Sequence, residues 1–184
     1  MAGILLKKNA AVAITAVIIL FSMTVGAGRG LGNMRKTVYN IFYTGTDNDN
    51  ISIENDMRAR IDTAYNLASV AKKYFGGDDK VLLDVLSARE SLIQADSILL
   101  KYNANLNLTM ACDDLYLALK DAEMSEQDAN YRESLNNSLK SRNNTIEYDM
   151  RIYVAQAVEF NNKLNAFPAA LARIFGLVKP LDVI

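Results

Sequence analysis

The chain of 184 residues has no histidine and no tryptophan, a single cysteine and two prolines. With only one cysteine, an intramolecular disulfide cannot form. Zinc sites draw on cysteine and histidine, and carboxylate-bridged di-iron bundles need Glu-x-x-His pairs, so both metal classes lack their ligands. Hydrolases with a histidine-assisted serine or cysteine fail for the same reason. We therefore expect no enzyme, no metal and no cofactor, although a mechanism built on carboxylates or lysine alone stays open.

Basic and acidic side chains are unevenly distributed along the chain. The first 44 residues contain five of the 20 basic side chains and none of the 21 acidic ones, so the remainder carries a net charge of −6. Nucleic-acid affinity rests largely on Lys and Arg side chains that neutralise phosphates. This balance predicts that the protein binds neither DNA nor RNA.

An apolar segment runs from Ala10 to Ala27 without a charged residue. As a helix it is roughly 27 Å long, close to the ~30 Å hydrocarbon core of a bilayer. The pattern predicts a single-pass anchor in a bacterial cytoplasmic membrane, with residues 10–28 in contact with lipid. The alternatives are a buried core helix and a cleaved signal peptide, which Lys7-Lys8 and the small-x-small site Val25-Gly26-Ala27 favour. The segment is longer than the apolar core of a typical signal peptide, which favours the anchor.

The charges that flank this segment do not decide its orientation. Lys7 and Lys8 precede it, while Arg29, Arg35 and Lys36 follow it. Because the positive-inside rule compares the two flanks, the sequence is compatible with either side of the membrane for the rest of the chain.

The remainder of the chain predicts long helices. Neither proline lies before position 168, so no proline interrupts an earlier helix. Turn-forming residues occur at Gly45–Asn50, at Gly76–Asp79 and, more weakly, at Ser125–Asp128, where Ser125 is the expected helix N-cap. They divide the body into three helical stretches, at about residues 52–75, 79–123 and 126–166.

Three regions follow from these divisions. Residues 1–31 form the anchor, residues 32–51 a juxtamembrane segment and linker, and residues 52–184 a helical bundle domain. We expect Met34–Tyr43 to be helical, either prolonging the anchor or forming a fourth helix, with a strand as the alternative. Gly45–Asn50 is expected to be a flexible link on which the bundle pivots.

Apolar residues recur at intervals of three and four in the two longer stretches. The third stretch has one continuous face, made up of Leu135, Leu139, Ile146, Met150, Tyr153, Ala157, Phe160, Leu164 and Phe167, with Arg142 or Asn143 in its one gap. The middle stretch has a wider face, made up of Val85, Ala88, Leu92, Ala95, Leu99, Tyr102 and Leu106 with their neighbours. Such spacing predicts helices packed at about 20°. The predicted fold class is all-α, an N-terminal transmembrane helix followed by an elongated antiparallel bundle of three to four long helices.

Three blocks of residues carry a resemblance to a known family. They are Arg60-Ile61-Asp62 with Asn66-Leu67, Val70 and Tyr74; then Ala88-Arg89; and finally Arg151, Tyr153, Phe160-Asn161, Phe167-Pro168 and Phe175-Gly176. Their order and approximate spacing are similar to the motifs of the LemA family, over roughly residues 52–178. The resemblance implies an N-terminal membrane helix followed by a helical bundle. It implies no biochemical activity, because the family has none established.

The chain departs from the family pattern at several positions. Tyr65 stands where the family usually has Pro, Val154 replaces an Asn, and Leu177 replaces a final Phe. The family's tryptophan in the first soluble helix is missing. The Gly45–Asn50 insert separates the membrane segment from the bundle, where the family more often has one continuous helix.

The C-terminal signature residues have two interpretations. Pro168 suits the first turn of a short helix that runs to Phe175, with Gly176 as its C′ residue. With Asn161 and Phe167, these residues are expected to form a structural corner that covers the end of the bundle. The alternative is a binding groove at that corner.

Arg60, Asp62, Arg89 and Arg151 lie on or beside apolar faces, where a charge is costly unless it is paired. We expect interhelix ion pairs at these positions. The alternative, a site for an anion or a lipid headgroup, requires two arginines to converge. Cys112 is expected to be a small buried apolar residue and chemically inert.

The sequence thus favours a non-enzymatic, membrane-tethered interaction or scaffold protein. Its expected partners are the lipid bilayer and other membrane or envelope proteins, and the heptad-like faces also permit a homo-oligomer. The alternative is an extracytoplasmic ligand-binding or sensor bundle, released after cleavage of a signal peptide and holding a small molecule between its helices.

Overall fold

The structure, a computed structural model, describes the backbone of residues 2–45 and 52–184, and the side chains within those ranges from residue 7 onward. These ranges contain six α-helices and no strand. The helices are α1 (Ala2–Tyr43), α2 (Ile53–Ala71), α3 (Lys80–Gln94), α4 (Ile98–Lys120), α5 (Glu126–Asn165) and α6 (Ala169–Ile174). The all-α prediction, one long apolar helix followed by packed helices, is confirmed. The predicted link at Gly45–Asn50 lies, apart from Gly45, outside the described residues.

Helix α1 is continuous from the apolar segment through the residues that follow it, up to Tyr43. Its range includes Met34–Tyr43, so the prediction that this segment is helical is confirmed, and of the two alternatives the segment prolongs the apolar helix. Two polar side chains in the apolar segment return their hydroxyls to the helix backbone. Thr15 Oγ1 donates to the Ala11 carbonyl at 2.9 Å, and Thr24 Oγ1 donates to the Leu20 carbonyl at 2.8 Å. The boundary predicted at residue 31 is not marked by any change in secondary structure.

The middle helical stretch is broken, which corrects the prediction of one helix over residues 79–123. Ala95 is extended, with φ −64° and ψ 125°. Ser97 then begins α4, because its hydroxyl accepts the N–H of Leu100 at 3.2 Å. The apolar register does not continue across this break. Ile98 is buried, whereas Leu99, which was predicted on the buried face, is exposed.

The apolar face predicted for α5 is confirmed up to the end of the helix. Its members from Leu135 to Leu164 are all buried, and Asn143 fills the gap between Leu139 and Ile146. Phe167 does not continue the face, since it lies beyond the last residue of α5 and is 67% exposed.

Two compact units make up the chain, and α1 and α5 each contribute to both. The first unit comprises Met1–Tyr39 and Val154–Val183, and the second comprises Asn40–Tyr153 with Ile184. In the second unit, α3 packs on α4, and α2 packs on both. The division predicted from the sequence, at residues 31 and 51, stays a prediction.

Candidate functional site: the Arg60 cluster and its cavity

A buried arginine lies at the centre of a polar cluster in the second unit. Arg60, on α2, is only 1% exposed. Its Nη1 donates to the side-chain oxygens of Asn105, on α4, and Asn143, on α5, the latter at 2.8 Å. Its Nη2 donates to the hydroxyl of Thr109 at 2.8 Å. These four residues, here called the Arg60 cluster, join three helices.

Further hydrogen bonds hold the acceptors of the cluster in place. Asn105 Nδ2 donates to Asn143 Oδ1 at 3.3 Å, and the Thr109 hydroxyl donates to the backbone carbonyl of Asn105 at 2.9 Å. Asn143 Nδ2 donates to Glu147 Oε1 at 2.7 Å. Both buried amides therefore present their oxygens to Arg60, so the orientation of each is fixed by its neighbours.

The charge of Arg60 has no carboxylate partner within salt-bridge distance among the described residues. Burial lowers its pKa, while the charges of the Cys112 thiolate form, Asp113 and Glu147 act in the opposite direction. An arginine nevertheless stays protonated in proteins. Its Nε is buried and has no hydrogen-bond partner in the part of the chain that the structure describes. Arg60 is thus a buried cation held by neutral acceptors.

A cavity of about 280 Å³ adjoins the cluster and is lined partly by it. Asp113 and Lys140 bring one negative and one positive side chain to its wall, next to Arg60 and Thr109. Asn136 also lines the cavity, and it is only 6% exposed. Its side-chain amide makes no hydrogen bond to any described residue. The cavity therefore offers both charges and an accessible amide that can still donate and accept.

Cys112 lies in the wall of the same cavity and is buried, as predicted. Burial raises the pKa of its thiol to about 12, with the Arg60 charge acting in the opposite direction. Only the thiolate is a strong nucleophile or metal ligand. The side chain is therefore a neutral thiol at physiological pH, and its predicted inertness has a physical cause.

Residues 50–181 match the family model described as the LemA family. The chain belongs to the LemA family. The match includes the Arg60 cluster, the cavity and the C-terminal corner, whereas the apolar part of α1 lies outside it. No curated protein matches the chain. Membership supports the resemblance inferred from the sequence, and the LemA signature residues can now be placed.

The LemA signature residues of α2 and α3 differ in burial and in the contacts that they make. Leu67 is fully buried, whereas Asp62 and Asn66 are exposed. Arg89, on α3, donates from Nε to the Ile61 carbonyl at 3.2 Å and lies over the Tyr65 ring, 5.2 Å from its centroid. Arg89 therefore links α3 to α2, as an interhelix contact but not as an ion pair.

Tyr74 takes part in a contact between the segment after α2 and the start of α5. Its hydroxyl donates to Asp128 at 2.6 Å, and Lys73 donates to the same carboxylate at 2.8 Å. The Ser125 hydroxyl accepts the Asp128 N–H at 3.2 Å, which confirms Ser125 as the N-cap. These hydrogen bonds, that from Lys73 most strongly, lower the pKa of Asp128.

The signature residues of α5 divide between the two units. Tyr153 is fully buried in the second unit, where its ring meets Phe42 edge-on at 6.2 Å between centroids. Phe160 is fully buried in the first unit. Arg151 is exposed, and within the described residues its one hydrogen bond goes to the backbone carbonyl of Glu147 on its own helix, at 3.3 Å.

Within residues 2–45 and 52–184, the ion pairs predicted at the signature charges do not form. Arg60 and Arg89 bond neutral groups, Arg151 bonds its own helix, and the arginines do not converge on one point. The ion pairs that do join helices use other residues, Lys101 with Glu54 at 2.7 Å and Arg142 with Asp56 at 2.6 Å. Both carboxylates, Glu54 and Asp56, lie on α2 and are largely buried, so each is paired with a cation from another helix.

The corner predicted after α5 is present in the first unit. Asn161 receives the Leu181 N–H and donates to the Leu181 carbonyl, both at 2.9 Å, which fixes the C-terminal segment to α5. Pro168 precedes α6, and Gly176 follows it with φ +70°, as expected of a C′ glycine. Phe167 and Phe175 are exposed, at 67% and 70%. The corner is therefore pinned by Asn161 and not by its aromatic residues.

Sequence reasoning missed Asn105, Thr109 and Asn136. The signal for Asn136 and Asn143 was available, because two asparagines seven residues apart lie on the apolar face of α5. A polar residue recurring at a buried heptad position often fixes helix register. Asn105 carries no such signal, since the periodicity predicts its neighbour Leu106 on the apolar face.

Proposed function

We propose that this protein is a membrane-tethered helical scaffold without enzymatic activity. The observation that supports the tether is the exposure of the apolar part of α1. Every described side chain from Lys7 to Met23 is exposed, including Val12, Val17 and Phe21, each more than 60% accessible. A core helix would bury such residues, so the segment requires an apolar environment supplied from outside the described part of the chain.

The size of the apolar surface supports a bilayer as that environment. Eight large apolar side chains between residues 12 and 23 are more than 40% exposed. Full burial of one such side chain contributes about 1.5–3 kcal/mol, so covering this row with hydrocarbon contributes on the order of 10 kcal/mol. The segment also meets the length requirement of about 20 residues for a membrane-spanning helix. Helix α1 is long and apolar enough to cross a membrane.

Alkaline extraction of membranes from cells that express the full chain tests the tether. We expect the protein to stay with the lipid fraction at high pH. Ile18→Arg is expected to weaken insertion by about 2.5–3.5 kcal/mol, whereas Thr37→Arg, on the exposed polar end of the same helix, is the matched control. Complete release of the unaltered protein would contradict a tether. A reporter cysteine at Asp47 in a Cys112→Ser background then shows which side of the membrane the bundle faces.

The scaffold role is supported by apolar side chains that α4 leaves exposed in the second unit. Leu100, Met110 and Leu117 are 52–60% exposed. Met110 and Leu117 are seven residues apart and therefore lie on the same side of the helix. Exposed apolar surface of this kind often marks a protein interaction site. We propose that another membrane or envelope protein binds there.

A pulldown from detergent-solubilised membranes tests this role. We expect the full chain to recover a specific partner, and Met110→Glu with Leu117→Glu to lose it. Asn103→Glu, at an exposed polar position of α4, adds charge without removing apolar surface and should keep the partner. Recovery of no partner, together with turnover of some substrate, would refute the scaffold proposal.

The cavity beside Arg60 favours a second candidate, a ligand-binding or sensor bundle released after cleavage. Because its wall carries both Lys140 and Asp113 and the unbonded amide of Asn136, a small zwitterion such as a free α-amino acid suits its chemistry. Equilibrium dialysis against a panel of amino acids tests binding. Intact mass of the native protein separates the two candidates, since a mature N-terminus at Gly28 supports release and retention of residues 1–27 supports the tether.

A further inference from the structure

The segment from Phe167 to Leu177 in the first unit exposes large apolar side chains in close succession. Phe167, Ile174, Phe175 and Leu177 are 57–74% exposed. Single exposed apolar residues are ordinary on a protein surface, but four within eleven residues form a patch. Asn161 holds the chain after this segment against α5 by its two hydrogen bonds to Leu181. The segment is therefore a pinned loop with an apolar exterior, here called the α6 loop.

The α6 loop lies against the apolar part of α1. Leu171, Phe175 and Leu177 from the loop line a groove of about 490 Å³ together with side chains of α1 from Val17 to Val25. Of the described residues that line the groove, Thr24 is the one with a polar side chain, and its hydroxyl is already bonded to the Leu20 carbonyl. An apolar groove of this size, open to its surroundings, is unfavourable in water.

The stretch of α1 that lies beside the α6 loop indicates how far the loop would extend into a bilayer. At one end, a Cβ added to Gly28 would meet Ala172 and Leu177 at 3.7 Å. At the other end, the groove reaches Val17. Eleven residues of helix separate these positions, about 16 Å along the axis, which is close to half of the ~30 Å hydrocarbon core. If α1 crosses the bilayer as proposed above, the α6 loop must lie alongside the half of it that occupies one leaflet.

We propose that the α6 loop is a second membrane-inserted element, and that lipid acyl chains cover its exposed apolar side chains and fill the groove that it forms with α1. The inference rests on the proposed membrane tether. It commits to lipid because Phe175 and Leu177 of the patch line one groove with the exposed apolar side chains of α1 from Val17 to Phe21. The corner after α5 would then serve the membrane and not the end of the bundle.

The backbone of the loop meets the requirement that hydrocarbon imposes. A spanning or inserted segment must satisfy its backbone hydrogen bonds internally. The N–H groups of Phe175, Gly176 and Leu177 donate to carbonyls of Leu171, Arg173 and Ala172, at 2.9–3.0 Å. The turn that reverses the chain therefore adds no unbonded N–H at these three positions.

Charged residues are arranged as a membrane boundary requires. Arg173, the one charged residue of the loop, donates to the side chain of Asn165, at the end of α5. A long cationic side chain can extend in this way toward the membrane surface from an apolar level. Lys179 and Arg35 lie together beyond the groove, where Arg35 Nε donates to the Lys179 carbonyl at 3.1 Å. Arg35 on α1 and Lys179 after the α6 loop are therefore expected at the level of the lipid headgroups.

Tryptophan fluorescence in the full chain tests this proposal, because the protein has no tryptophan of its own. Phe175→Trp and Ile174→Trp, at exposed positions that tolerate a larger side chain, report on the loop. Phe21→Trp, 69% exposed on α1, reports on the anchor, and Tyr131→Trp, 45% exposed on α5 in the second unit, is the control outside it. Each variant is reconstituted in phosphatidylcholine vesicles with and without brominated acyl chains.

We expect bromolipid to quench Phe175→Trp and Ile174→Trp as strongly as Phe21→Trp, and to leave Tyr131→Trp unchanged. Quenching of Phe21→Trp alone would overturn the insertion of the loop and leave the anchor intact. In that case, a blue-shifted emission at Phe175→Trp would show that protein, from another chain or a second copy, covers the patch. Absence of quenching at Phe21→Trp would instead refute the membrane tether, and with it the basis of this proposal.

Discussion

Replacing Arg60 with alanine removes a buried cation and leaves its acceptors behind. Among the described residues, Arg60 is the one side chain that donates to Asn105 Oδ1, whereas Asn143 Oδ1 also accepts from Asn105 Nδ2. One buried acceptor is therefore left unsatisfied, at a cost of about 1–3 kcal/mol. Truncation of a large buried side chain adds about 2–5 kcal/mol. Part of this sum is offset, because the variant no longer bears the free-energy cost of burying a charged guanidinium. We expect Arg60→Ala to lower the free energy of unfolding by about 3–5 kcal/mol.

Arg60→Met distinguishes the effect of charge from the effect of volume. Methionine fills much of the same space without a charge, so the cavity term is small and the desolvation cost disappears. The loss of the hydrogen bond to Asn105 remains. We expect Arg60→Met to be destabilised by less than half as much as Arg60→Ala. Arg60→Lys keeps the charge but cannot reproduce the fork that reaches three acceptors, so it should be worse than Arg60→Met.

Chemical denaturation of the full chain in detergent micelles, followed by circular dichroism, measures these differences. Arg58→Ala is the matched control, because Arg58 lies on the same helix and its side chain is 69% exposed beside Glu54. We expect that control to stay within about 0.5 kcal/mol of the unaltered protein. A cost below about 1 kcal/mol for Arg60→Ala would refute the view that the Arg60 cluster stabilises the bundle.

Three further predictions concern other parts of the molecule. Iodoacetamide at mildly alkaline pH should not label Cys112 in the native protein and should label it in denaturant, because the thiol pKa is raised to about 12 by burial. The folded-state pKa of Asp128 lies below its unfolded value, chiefly through its hydrogen bond with Lys73. Its stabilisation is present at neutral pH and lost as pH falls through the folded pKa, so Asp128→Asn should lower the neutral-pH melting temperature and weaken its acid dependence. Gly176→Ala, at φ +70°, should cost about 1–2 kcal/mol in the same melts, whereas Gly77→Ala, where an added Cβ meets nothing within 4 Å, should cost less.

The long helices were predictable where a single apolar period persists over many turns. The face of α5 from Leu135 to Leu164 is such a case, because each buried residue reinforces the same register. The break before α4 was not predictable from that pattern, since apolar residues continue on both sides of it. The break is fixed by a local hydrogen bond, in which the Ser97 hydroxyl accepts the Leu100 N–H and begins a new helix. The spacing of apolar residues carries no information about such a hydrogen bond, so it predicts the wrong buried residues at the start of α4, Leu99 in place of Ile98.

The partners of Arg60 were not predictable for a different reason. A charge beside an apolar face indicates that the side chain needs partners, which selected Arg60 correctly. The sequence does not specify whether those partners are carboxylates or amides, because they lie 45, 49 and 83 residues away along the chain. Their identity depends on how α2, α4 and α5 pack, which brings amide and hydroxyl oxygens to the guanidinium while Asp113 and Glu147, although near, stay beyond salt-bridge distance. Membership of the LemA family implies the helices but not this arrangement.

Asn136 separates a structural role of the Arg60 cluster from a binding role. Arg60, Asn105 and Asn143 can be explained as a polar network that fixes the register of three helices, and such a network needs no ligand. Asn136 has no hydrogen bond in the described part of the chain, so that explanation does not account for it. Asn136→Leu breaks no observed hydrogen bond and buries more apolar surface, so it should leave stability unchanged or raise it. If the cavity binds a small polar molecule, the same substitution removes a group that the ligand requires, and amino-acid binding in equilibrium dialysis should fall while the melting temperature does not. A variant that binds as well as the unaltered protein would leave the cluster with a purely structural role.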